Sequence, residues 1–78
     1  VLPDPPDDRE WLLRESQRIG RRIRDERIDR NLTQEAVFLR VPLTRSFYQE
    51  IESGQANPTL DTLLRISRVL GVTIDLLR

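Results

Sequence analysis

The chain reads as an all-α domain of five helices. Apolar residues recur at helical rather than alternating spacing, Thr and Asp stand where helices should begin, and Asn or Gly stands where they should end. At 78 residues with 37% apolar and 33% charged content there is material for one core, not two packed domains. Residues 1–8 hold three prolines and three aspartates with almost nothing to bury, so they are expected to form a disordered acidic tail ahead of a domain spanning 9–78.

Helix one is expected over 9–30, with Asp8 as its cap and Glu10 at the positive end of its dipole. Its inward stripe would be Trp11, Leu12, Ser16, Ile19, Ile23 and Ile28. Gly20 costs about 1 kcal/mol relative to Ala inside a helix, so a bend or restart is expected there. Asn31 can take the left-handed conformation that ends a helix.

Thr33 caps a short helix two, Gln34 to Arg40, with Val37 and either Leu39 or Val41 facing inward, and Pro42 stops it. The residue before proline is disfavoured in the helical region, which makes Val41 extended. Thr44 caps helix three, which runs to Ser53 and is closed by Gly54. After the loop Gln55-Ala56-Asn57-Pro58, Thr59 opens helix four, with Leu60, Leu63, Leu64, Ser67 and Leu70 at helical spacing before Gly71. A last short helix, Ile74 to Arg78, would dock through Ile74 and Leu77.

The composition excludes several function classes. With neither cysteine nor histidine, the common zinc and iron ligand sets and thiol chemistry are missing, so no metal and no cofactor is expected. Without Lys as well there is no evident nucleophile and base pair, and Glu50 and Glu52 lie about 200° apart on a helix, so an enzyme is not expected. No apolar run approaches the roughly 20 residues of a membrane span and no secretory leader precedes the domain, which leads to an expected cytoplasmic location with no membrane partner.

Thirteen basic and thirteen acidic residues cancel, yet they are unevenly placed: residues 11–45 carry nine Arg against five acids. On a wheel of residues 45–52, Phe47, Tyr48 and Ile51 share one arc, while Arg45, Ser46, Gln49 and Glu50 share the other. Two short helices joined by a tight turn form a helix-turn-helix, whose second helix can enter the major groove of duplex DNA.

Five segments carry a closer resemblance: Ile19-Gly20-Arg21-Arg22-Ile23-Arg24, Leu32-Thr33-Gln34-Glu35, Ile51-Glu52-Ser53-Gly54, Asn57-Pro58-Thr59-Leu60 and Leu70-Gly71-Val72. In that order and with those gaps, over about residues 16–77, the chain resembles the lambda-repressor-like, or Xre/Cro-type, DNA-binding domain. The resemblance implies five helices and a homodimer on a palindromic double-stranded operator. By that resemblance Gln34 contacts phosphate and buttresses the start of helix three, and Arg45 and Ser46 align with the main base-reading positions. Arg can bond bidentately to guanine O6 and N7, Gln49 can read adenine, and Glu50 either accepts from cytosine N4 or is an exposed helix charge. Thr44 caps helix three and could also touch phosphate. Phe47 either meets a thymine methyl or covers the core beside Leu43. Arg27 and Glu52 match a pair that in this family forms a partly buried salt bridge tying helix one to helix three.

Three positions depart from the family pattern: Phe38 replaces a small residue, Pro42 the turn glycine and Tyr48 the buried Val or Ile of helix three. Two added rings need volume, so an altered contact between helices two and three is expected. Those bulky residues and the zero net charge keep a second function open, a degenerate helix-turn-helix that binds a protein partner.

Overall fold

The computed structural model describes residues 8–77, so the expectation for a disordered tail falls, apart from Asp8, outside the described residues. The described residues form four α-helices, α1 (Arg9–Asp29), α2 (Gln34–Phe38), α3 (Arg45–Ser53) and α4 (Leu60–Leu70), followed by one 3₁₀ turn at Ile74–Leu77. The fifth helix of the sequence reading is therefore a single tight turn. The four residues Ile74–Leu77 wind with three-residue rather than four-residue spacing of their bonds, and of Ile74 and Leu77 only Ile74 is seen against the core, since the side chain of Leu77 lies outside the described ones.

Helix boundaries follow their caps. Thr33, Thr44 and Thr59 each sit in extended backbone and accept a hydrogen bond from the amide three residues on, satisfying a donor the helix itself cannot. Gly54 and Gly71 close α3 and α4 at φ 80° and 75°, and Asn31 follows α1 at φ 56°. Asp8 departs from expectation: its carbonyl accepts from Leu12 N at 2.8 Å, but its side chain makes no capping bond. Helix two ends two residues early because the Arg40 amide bonds back three residues to Val37 O at 3.0 Å, tightening the chain into a turn. Val41 lies in that turn, before a cis peptide to Pro42.

Ile23, Val37, Phe38, Val41, Tyr48, Ile51, Ile66 and Leu70 form the core. This revises the inward faces. In α1 the stripe narrows to Ile19, Gly20, Ile23 and Glu26, leaving Trp11 and Leu12, near its start, and Ile28, near its end, about half exposed. Of the two alternatives expected beside Val37, Val41 is buried and Leu39 exposed, with Phe38 buried as well, and Ile66 is fully buried while Leu60 and Leu64 face outward. Gly20 neither breaks nor restarts α1. A Cβ there would lie 2.4 Å from Ile51 O and 2.6 Å from Glu52 O, so its role is to let α1 and the end of α3 touch backbone to backbone.

Candidate nucleic-acid interface

The site begins with how α3 is held. Its apolar arc buries Tyr48 completely and Ile51 almost so, and Phe47 packs half-buried against the same core. The 100° step of the helix then turns Arg45, Ser46, Gln49 and Glu50 outward, all four exposed on the opposite arc. The Thr44 hydroxyl accepts from Phe47 N at 3.2 Å, which fixes the start of the helix.

Behind this arc lies a buried polar cluster centred on Glu52. Arg27 Nε donates to Glu52 Oε2 at 2.8 Å and Arg27 Nη2 to Oε1 at 3.1 Å, a two-pronged contact between α1 and α3 with little of either side chain exposed. Arg27 Nη1 also donates to Leu32 O at 2.9 Å, binding the chain between α1 and α2 into the same knot. The Tyr48 hydroxyl donates to Glu52 Oε2, and Gln34 Nε2 donates to Oε1 at 3.2 Å. Burial pushes the Glu52 carboxyl upward, but the hydrogen bonds from Arg27, Tyr48 and Gln34 and the charge of Arg27 outweigh it and hold the group below its ordinary value. Tyr48 moves the other way: burial first, then its bond to the Glu52 anion, keep the phenol protonated well above its ordinary range. The Arg27 guanidinium is raised, chiefly by its hydrogen bonds to Glu52.

From this cluster one hydrogen-bonded path reaches the surface. Gln34 uses its amide nitrogen on Glu52 and its amide oxygen to accept from Gln49 Nε2 at 3.2 Å. The first side chain of α2 is thus joined to the middle of the polar arc of α3. Arg45 is held differently. Its Nη2 lies 3.4 Å from Glu35 Oε2, and its Cζ sits 5.2 Å from the centroid of the Phe38 ring. Among the described residues, no hydrogen bond ties the Ser46 or Glu50 side chains to these groups.

Sequence reasoning missed three parts of this arrangement. Tyr48 and Glu52 are four apart on one helix, a spacing that does signal a side-chain contact, but Tyr48 read only as an oversized core residue. Glu26, buried in α1 between Arg22 at 3.0 Å and Arg30, likewise carries i,i+4 signals on both sides. Glu35 and Phe38 beside Arg45 had no sequence signal, because those contacts cross between two helices. Among the described residues there is no cluster of acidic side chains fit to hold a metal ion, and no helix is long and apolar enough to cross a membrane.

Comparison with known proteins agrees with the helical arrangement. A family model described as helix-turn-helix matches residues 23–77. The chain is 35% identical over 57 residues to the immunity repressor protein of Bacillus phage phi105, a match covering 73% of this chain and 40% of that protein. It is 37% identical over 55 residues to the control protein C.MunI of Mycoplasma sp, covering 70% of this chain and 72% of the relative. The crystal structure of the restriction-modification controller protein C.AhdI from Aeromonas hydrophila aligns with a TM-score of 0.80 at 28% identity, over 83% of this chain and 98% of that one.

Proposed function

Because the chain belongs to the helix-turn-helix family, we propose that it is a DNA-binding transcription regulator that reads a double-stranded operator by placing α3 in the major groove. One observation carries this reading: α3 turns Arg45, Ser46, Gln49 and Glu50 outward together while its other arc is locked into the core. Those side-chain types have hydrogen-bonding patterns suited to base edges. Arg45 reads guanine, Gln49 reads adenine, and Ser46 and Glu50 complete the contacted edge. Gln34 and Thr44, at the starts of α2 and α3, meet phosphate and set the register. Arg27 and Glu52 hold the reading helix and touch no base. Residues 9–78 act as the binding unit, in the cytoplasm and as a symmetric homodimer, so the operator is palindromic. The relatives named as a repressor and a control protein support a regulatory role for the whole protein, of which this chain corresponds to less than half the length in the phage repressor.

The test is selection from a pool of random duplexes, followed by fluorescence-anisotropy titration of the enriched duplex at two salt concentrations. A palindromic motif bound much more tightly than a scrambled duplex is expected. A purely salt-driven response with no motif would remove the claim of sequence reading. Absence of duplex binding at either salt concentration would favour instead a protein-binding module, a reading supported by Trp11, Leu12 and Leu13, each about half exposed at the start of α1.

A further inference from the structure

We propose that Phe38, which lies behind the interface and touches no base, is the positioning residue that sets how sharply Arg45 discriminates guanine. The proposal rests on the assignment of Arg45 as a base reader. It is carried by a juxtaposition across the α2–α3 junction: the Arg45 guanidinium carbon lies 5.2 Å from the centroid of the Phe38 ring. The two restraints on Arg45 differ in kind. The Glu35 carboxylate at 3.4 Å takes up one N–H of Nη2 and is itself well exposed, so it competes with guanine O6 and N7 when the base approaches the edge that carries that N–H. An aromatic face attracts the cation through its quadrupole and consumes none of the five N–H groups. Phe38 is therefore the partner that Arg45 can keep whichever of its edges meets the base.

The ring is well suited to act as a fixed platform. Only 6% of Phe38 is exposed, its carbonyl accepts from Leu43 N at 2.7 Å, and its ring centroid lies 6.3 Å from that of Tyr48. Tyr48 is in turn bonded to Glu52, which is paired with Arg27. A line of bonded and packed groups thus runs from the buried ion pair to the ring beneath Arg45. A guanidinium restrained in this way loses less freedom when it forms a bidentate contact, and a mismatched base gains less by letting it swing aside.

The experiment uses the duplex most enriched by the wild-type chain and its single-base variants. The position read by Arg45 is the one at which substitution weakens the wild-type chain but not Arg45→Ala. Phe38 is then replaced by pentafluorophenylalanine, which nearly preserves ring shape and volume but reverses the quadrupole, and by Leu and Trp as second and third variants. The expected result is a loss of about two- to fivefold in guanine discrimination at that position for the pentafluoro and Leu variants, with Trp retaining it. Discrimination at the position read by Gln49 and affinity for a scrambled duplex stay unchanged, which a general loss of structure would not allow. In the Arg45→Ala background the Phe38 replacements have no further effect. A motif that survives Arg45→Ala overturns the base-reading role and this proposal with it. A motif that depends on Arg45 but is read equally well with Phe, pentafluorophenylalanine and Leu at position 38 overturns only the positioning role.

Discussion

Glu52 concentrates the chemistry of the fold at one side chain, accepting from Arg27, Tyr48 and Gln34 inside the junction of three helices. Removing one partner of such a pair strands the other, so Arg27→Ala should cost about 3–5 kcal/mol of unfolding free energy, with a matching drop in Tm. A variant that kept its Tm and lost only DNA affinity would show that Arg27 acts at the interface instead. The pH dependence has a definite sign. Glu52 is held below its ordinary value of 4.5, so its contribution is present above that pH and is lost as the pH falls through the lower folded-state value. Urea titrations below about pH 4.5 should therefore show a shallower decline in stability for Glu52→Gln than for the wild type, whatever their absolute difference. Tyr48 is raised above its ordinary value of 10.0, so the folded chain keeps a proton that the unfolded chain releases. Stability should fall as the pH rises above 10, and Tyr48→Phe should flatten that decline.

At the scale of elements, α3 owes its usefulness to being held at both ends and underneath. Thr44 caps its start, and Thr44→Ala should cost about 1 kcal/mol and fray the turn that carries Arg45 and Ser46. Gly20 sets the distance of α3 from α1. Although alanine favours a helix by about 1 kcal/mol relative to glycine, a Cβ 2.4 Å from Ile51 O cannot be accommodated without separating the two helices. Gly20→Ala should accordingly destabilise the chain by about 1–3 kcal/mol in thermal unfolding, whereas an ordinary exposed helical glycine would give a gain. Sequence cues located these helices well, because Thr caps and Gly or Asn stops act within one turn of the residue concerned. They were less informative about faces. Trp11, Leu12, Leu60 and Leu64 satisfy helical periodicity yet stand exposed, since periodicity says which residues share a stripe and not whether a neighbour covers it.

Over the whole chain the net charge is zero, but residues 11–45 hold nine Arg against five acids, so long-range attraction to a duplex would come from that stretch and discrimination from the short contacts of α3. On the palindromic operator proposed above, two copies should bind together. Sedimentation of the chain with its selected duplex should give two protomers per duplex, and a half-site duplex should bind far more weakly. The sequence by itself determined the helical class, the helix starts, and the segregation of Arg45, Ser46, Gln49 and Glu50 from the apolar arc of α3, since each depends on residues within a few positions of one another. Only tertiary structure decided what those side chains rest on. Gln34 bridges Glu52 to Gln49, Phe38 lies beneath Arg45, and Gly20 sits against the backbone of Ile51 and Glu52. These contacts join residues 7 to 32 positions apart on separate helices, and local propensity carries no information about which turns of two helices will meet when their cores close.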